Sequence, residues 1–162
     1  MDLSAIYSVF SHVPVEWIVI GAFFLLIVAD ALRAGSVRAA SLALSFPITG
    51  MLMQMIAQTA LLSTVVGQLK NNIEQVILFA IIEAVIFVCV HQMLYSFDPY
   101  TSLVSSIVCG LAASVVVLVV WVETPALNAI WQFDPNIQAI FGHSFGFFWL
   151  IASYLALAFI GS

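Results

Sequence analysis

The carboxyl group of Glu83 is the most unusual chemical feature of this sequence, because it lies within the apolar segment FAIIEAVIFV. An ionised carboxylate at the centre of a lipid bilayer costs about 3 kcal/mol on insertion scales. No lysine or arginine lies at a comparable depth in the other apolar segments, so we do not expect an ion pair. We therefore expect Glu83 to face the inside of a helix bundle as a neutral, hydrogen-bonded carboxyl group.

Three polar side chains in apolar segments are candidates for interaction with Glu83. Gln54 and Gln58 are spaced to share one helix face, and we predict that they are the hydrogen-bond partners of the carboxyl group. His91 lies about 12 Å further along the helix of Glu83, towards the membrane interface. This polar cluster has two interpretations: a proton or cation relay, or a structural clamp that sets the register between helices.

Other groups that could carry chemistry have spacings that indicate packing. The two cysteines, Cys89 and Cys109, lie in apolar segments without a CxxC or histidine-rich pattern, so we expect both to be small buried apolar residues. No histidine stands near the serines of the fourth apolar segment to activate a nucleophile. We therefore expect no catalytic residue, no metal site and no cofactor.

A stripe of small residues recurs at every fourth position of the fourth apolar segment. Its members are Ser102, Ser106, Gly110 and Ser114. Small side chains allow two helix backbones to approach closely within a membrane. The stripe therefore predicts a helix-packing face.

The composition identifies the environment in which these residues must be positioned. Charged residues make up 7% of the chain and hydrophobic residues 64%, and the mean hydropathy is +1.20. Soluble domains carry about 25% charged residues, so this chain requires a lipid bilayer as its solvent. The formal net charge of −5 argues against nucleic acid as a partner, since nucleic-acid binding requires a basic face.

We predict an all-α, polytopic membrane protein with a single transmembrane domain over residues 1–162. It is expected to be a bundle of four to five transmembrane helices with short interfacial helices, because an isolated strand in lipid would leave its backbone unpaired. The predicted spans are 15–32, 48–66, 75–97, 100–122 and 145–160, with an interfacial segment over 123–144. An ion pair of Asp30 with Arg33, one turn away, is expected to close the first span.

Proline residues predict where several helices begin or break. Pro47 removes a backbone donor and Gly50 loosens the helix, so we expect a kink or a break there. One form of this is a short interfacial helix before Pro47. Asp98 with Pro99, Thr124 with Pro125, and Asp134 with Pro135 each combine a capping residue with a proline suited to the first helical position. These pairs predict the start of the fourth span and of two short helices.

The segment from Asp30 to Ser41 joins the first two apolar stretches through an Arg/Gly turn. It resembles the opening of colicin V production family membrane proteins, over about a quarter of the chain. The later loops carry no motif of that family, and we take no function from the resemblance.

Three classes of function remain. An intramembrane enzyme is the least favoured, because an enzyme needs convergent polar residues and the spans offer only Glu83, His91 and two glutamines. We expect a non-catalytic structural or assembly subunit of a membrane complex, as a homo-oligomer or with other membrane subunits, in the bacterial inner membrane or a viral membrane. The alternative is a small proton- or ion-coupled transporter or channel component that uses Glu83.

Overall fold

The computed structural model describes residues 14–58, 71–95, 102–142 and 145–160, and every regular element within these ranges is an α-helix. The helices are α1 (Val15–Ala34), α2 (Ser36–Gln58), α3 (Asn72–Tyr95), α4 (Leu103–Glu123), α5 (Pro125–Asn128), α6 (Pro135–Phe141) and α7 (Gly146–Ile160). This architecture confirms the predicted all-α fold.

Four helices, α1 to α4, are long and apolar enough to cross a membrane. The short helix α6 and the helix α7 add a fifth passage if they are taken together as one bent span. The chain is therefore a multi-pass membrane protein with four or five spans.

A single residue, Gly35, separates α1 from α2. Its φ of 93° is a left-handed conformation that favours glycine, and its N–H donates to the carbonyl of Ala31 at 3.0 Å. The chain reversal brings Arg38 Nε within 3.4 Å of Asp30 Oδ2. The predicted pairing of Asp30 with Arg33 was therefore wrong, because the turn brings the later arginine to the carboxylate.

The helix α2 continues through Pro47, so the chain does not break at this residue and the predicted separate interfacial helix before it was wrong. The part of α2 that is apolar enough to cross a membrane is Ser36–Ile56, which begins well before the predicted span 48–66. Residues 59–66 of that predicted span lie outside the described part of the chain.

A contact from another helix explains why Pro47 is tolerated. Proline has no N–H, so the carbonyl of Ala43, four residues earlier, lacks its usual donor within the helix. The Tyr154 hydroxyl of α7 donates to this carbonyl at 3.0 Å. A neighbouring helix thus replaces the missing donor, which is one way in which membrane helices accommodate proline.

The helix α4 lies at the centre of the bundle and packs against α1, α2 and α7. A Cβ atom added to Gly110 would lie 2.8 Å from the Cα atom of Val28 in α1, so the two backbones are in close contact. Near the other end of α1, Ile20 packs in one cluster with Leu118 and Val119. These contacts make α1 and α4 antiparallel neighbours.

The N-terminus of α4 is capped by Ser102, whose hydroxyl accepts a hydrogen bond from the N–H of Ser105 at 3.1 Å. This side chain is exposed, so Ser102 caps the helix and does not belong to the predicted packing stripe. Asp98 and Pro99, predicted to start this helix, lie outside the described residues.

The two short helices begin where the proline pairs predict. Helix α5 begins at Pro125, directly after Thr124. Helix α6 begins at Pro135, and the Asp134 carboxylate accepts a hydrogen bond from the N–H of Asn136 at 2.8 Å. Both starts use the fixed φ of proline, and that of α6 also uses a capping bond, whereas Thr124 makes no side-chain capping bond. Such starts can be predicted because they depend on adjacent residues.

The helix α3 lies at the edge of the bundle and packs against α2 and α5. Its outward side chains Ile77, Ile81 and Val85 are each more than half exposed. An exposed aliphatic surface on a helix of this length suits contact with lipid.

Candidate functional site

The polar side chains of the bundle meet where α3 packs against α2. Helix α2 carries three hydroxyl groups at four-residue spacing, on Ser41, Ser45 and Thr49, and none of these residues has exposed surface. We refer to Ser41, Ser45 and Thr49 as the hydroxyl row. Because residues four apart share a helix face, the row forms a polar line through an otherwise apolar contact.

Glu83 of α3 reaches the middle of the hydroxyl row. Its Oε1 atom lies 2.5 Å from Ser45 Oγ, which forms a hydrogen bond between the two helices. Its Oε2 atom is inaccessible to solvent and has no hydrogen-bond partner among the described residues. The carboxyl group is therefore bonded on one oxygen and unpaired on the other.

The predicted pairing of Glu83 with Gln54 and Gln58 was wrong. Both glutamines have exposed side chains, and the bond that the carboxyl group forms is with Ser45. Gln54 lies about 13 Å beyond Ser45 along α2 at 1.5 Å per residue. Because the predicted span began too late, it placed the glutamines at the depth of Glu83 where the structure places serine.

His91 contacts the first member of the hydroxyl row. Its Nδ1 atom lies 3.2 Å from Ser41 Oγ, and the same hydroxyl donates to the carbonyl of Val37 at 2.7 Å. A hydroxyl group has one proton, so His91 Nδ1 donates to Ser41 while that proton is engaged with Val37, and it accepts from Ser41 in the other tautomer of the ring. The His91 ring is stacked on Phe87, with ring centroids 5.7 Å apart.

Glu83 and His91 both face α2, although eight residues on a helix rotate the second by roughly 80° relative to the first. The hydroxyl row connects them, since Ser45 binds Glu83 and Ser41 binds His91. The arrangement is a line of exchangeable protons that runs from the middle of α3 towards its C-terminal end.

A cavity of about 430 Å³ opens beside Glu83, between α2, α3, α4 and α5. Four aromatic side chains line it together with the glutamate: Phe46, Phe79, Phe87 and Trp121. The indole N–H of Trp121 is buried and has no hydrogen-bond partner within the described residues. The site thus combines an acidic group with a space large enough for a small organic molecule.

Sequence reasoning missed the hydroxyl row, although a signal for it was present. Ser41, Ser45 and Thr49 recur every four residues within one apolar stretch. This spacing is as regular as that of the stripe on α4. The predicted break at Pro47 hid the pattern, because it divided the row between two helices.

The stripe on α4 is used within this chain. Gly110 faces α1, and the Ser114 hydroxyl donates to the carbonyl of Gly110 at 2.7 Å. Ser106 and Ser114 are both buried, whereas Ser102 caps the helix. Three of the four stripe positions therefore lie inside the folded bundle.

The described residues contain no group of three or more His, Cys, Asp or Glu side chains that could hold a metal ion. Cys109 is buried, as expected, but Cys89 is exposed on α3, so the prediction for Cys89 was wrong. The error arose because an apolar environment was equated with burial inside the protein, whereas a peripheral membrane helix is surrounded by lipid.

Comparison of this chain with protein-family models, curated proteins and solved structures finds no match.

Proposed function

We propose that this chain is a small proton- or ion-coupled transporter or channel component in which Glu83 binds the coupled proton or cation. The observation that carries the proposal is the unpaired Oε2 atom of Glu83 beside a cavity. A carboxyl group that served packing alone would be expected to satisfy both oxygens, because an unpaired buried polar atom costs about 1–3 kcal/mol. The unpaired oxygen can take up a proton, and rotation of the carboxyl group can present it to a cation in the cavity.

The hydroxyl row supports a path for protons away from Glu83. Ser45 contacts the carboxyl group and Ser41 contacts His91. Residues one helical turn apart have Cβ atoms about 5–6 Å from each other, a gap that one water molecule can bridge. Glu83 would release a proton along this line, and His91 would accept it at Nδ1, the nitrogen that contacts Ser41, when the ring is in its Nε2–H tautomer and the Ser41 hydroxyl donates to it.

A second candidate function is a non-catalytic structural or assembly subunit of a membrane complex. It is favoured by the same two bonds, since Ser45–Glu83 and Ser41–His91 also fasten α3 to α2. In this role the exposed face of α3, with Ile77 and Ile81, would contact lipid, further copies of the chain or other membrane subunits. We propose the bacterial inner membrane, or a viral membrane, as the location in either case.

Proton flux into liposomes distinguishes the two functions. The purified chain is reconstituted with a pH-sensitive dye inside the vesicles, and a potassium diffusion potential drives the flux. Glu83→Gln keeps the shape and the hydrogen bond to Ser45 but cannot titrate, so we expect it to abolish flux without changing the thermal unfolding temperature. Glu74→Gln, at the start of α3, is the matched control and should conduct like the wild type.

The structural function predicts a different result. Neither the wild type nor the Glu83→Gln variant would then conduct above empty vesicles, and both would assemble normally. Full flux in the Glu83→Gln variant would also overturn the transporter proposal, because the flux would not require the carboxyl group.

A further inference from the structure

We infer that the cavity beside Glu83 binds a lipophilic organic cation, such as a quaternary ammonium or phosphonium ion with an aromatic or aliphatic body. This inference rests on the proposed function, because it takes Glu83 as the cation-binding group and names its substrate class. It is carried by the cavity, by its aromatic lining and by the position of the carboxyl group within that lining.

The aromatic residues around the carboxyl group come from the helix of Glu83 itself and from two neighbouring helices. On α3, Phe79 lies one turn before Glu83 and Phe87 one turn after it, so all three share a face. Phe46 of α2 packs edge-on against Phe79, with ring centroids 5.2 Å apart. Trp121 of α4 contributes the largest ring. Faces of aromatic rings attract cations whose charge is poorly hydrated.

The charge that the described lining residues can carry is negative. Among the described residues that line it, Glu83 is the single ionisable side chain. The other helices contribute Leu42 and Phe46 from α2, Trp121 from α4 and Leu127 from α5. None of these side chains is ionisable. An ionised Glu83 would therefore have no competing positive group among the described residues of the lining.

The chemistry of the lining selects an organic cation over an inorganic one. Calcium and magnesium ions require six or more oxygen ligands in all, from protein and water. Among the described lining residues, Glu83 alone has an oxygen-bearing side chain, and the others are apolar or aromatic. A cation with an apolar body replaces water with contacts to these rings and retains one ionic contact. Rotation about the terminal torsion of Glu83, which is a soft torsion, can turn either oxygen towards the ligand.

Binding of tetraphenylphosphonium tests the inference, with tetraphenylborate as a probe of the same shape and opposite charge. Equilibrium dialysis measures each probe against lipid nanodiscs that contain the full chain, and empty nanodiscs provide the background. We expect one saturable phosphonium site per chain and no saturable borate site. Binding to ionised Glu83 excludes the proton, so a weakly buffered sample should release up to one proton per cation bound.

Three variants locate the site. Glu83→Gln should weaken phosphonium binding roughly 30-fold or more, because it removes the charge partner of the cation. Phe87→Leu should weaken binding roughly 2- to 30-fold through loss of the cation–π contact. Phe147→Leu is the matched control, since this phenylalanine is exposed on α7 away from the cavity, and it should bind like the wild type. Unfolding temperatures of the variants confirm that each is folded.

The outcomes separate this inference from the proposed function. Absence of saturable phosphonium binding, or equal binding by the wild type and Glu83→Gln, would overturn the inference even if proton flux depends on Glu83. Phosphonium binding that requires Glu83 and Phe87 would support it, even if the liposomes show no proton flux and the coupled-transport proposal fails.

Discussion

The central helix α4 and the peripheral helix α3 are held in the bundle by different forces. Helix α4 contacts three other long helices and approaches α1 so closely at Gly110 that a Cβ atom would meet the Val28 backbone. Helix α3 packs against one long helix, α2, and is fastened to it by bonds from Glu83 and His91. Shape complementarity holds α4 in the bundle, and polar contacts hold α3.

This difference follows from the membrane as a solvent. Lipid tails are as apolar as leucine, so apolar burial alone gives little drive for two helices to associate. Close packing of small residues and interhelical hydrogen bonds remain as the main sources of attraction. The chain uses close packing of small residues on α4 and interhelical hydrogen bonds on α3. The polar groups that hold α3 are also those that we propose to bind a proton or a cation. Four experiments test this contrast.

The largest effect is expected at the centre of the bundle. Gly110→Leu places a side chain where the Val28 backbone lies, and we expect a loss of at least about 3 kcal/mol, at or beyond the upper range for overpacking. Gly21→Leu is the matched control, because a Cβ atom there meets nothing within 4 Å. The measurement is the yield of monodisperse protein in mild detergent and its unfolding temperature. Equal behaviour of the two variants would remove close packing as the force that holds α4.

The bond between Tyr154 and the Ala43 carbonyl should have an intermediate effect. Tyr154→Phe removes the donor that replaces the missing N–H of Pro47, and we expect a loss of about 1 kcal/mol in the free energy of unfolding. In a Pro47→Ala background the helix supplies its own donor, so the same substitution should cost close to zero. A double-mutant cycle of unfolding free energies measures this coupling, and additive effects would contradict the explanation given for Pro47.

The bond that fastens α3 should contribute less. Interhelical hydrogen bonds in membrane proteins average about 0.6 kcal/mol by double-mutant cycles. Ser45→Ala combined with Glu83→Leu should yield a coupling energy of about this size. Thr49→Ala in place of Ser45→Ala is the control, because the Thr49 hydroxyl has no partner in the described part of the chain. A coupling energy as large as the Gly110→Leu effect would contradict the contrast between α3 and α4.

The smallest effect is expected at the turn between α1 and α2. The side chains of Asp30 and Arg38 are 53% and 50% exposed, so their ion pair is screened by water and salt. Arg38→Gln should change the unfolding free energy by no more than about 0.5 kcal/mol, and added salt should reduce the difference further. Unfolding temperatures at low and high salt provide the test. A larger, salt-independent loss would show that Arg38 has a role in packing.

The sequence by itself determined the features that depend on composition or on adjacent residues. Scarce charge and long apolar segments predict membrane helices, and the starts of α5 and α6 are marked in the sequence by a threonine or an aspartate directly before a proline. Glu83 could be selected in the same way, since the cost of a carboxylate in an apolar segment is a local property.

Contacts between helices were decided by the tertiary structure. The partner of Glu83 is Ser45 because α2 begins at Ser36, and α2 continues through Pro47 where Tyr154, far away in the sequence, supplies a donor. The cavity likewise requires side chains from four helices. Apolar segments in lipid carry little information about relative depth, because many registers bury similar surfaces. The depth at which one helix meets another is therefore set by close packing and by a few polar bonds, which become visible when the helices are assembled.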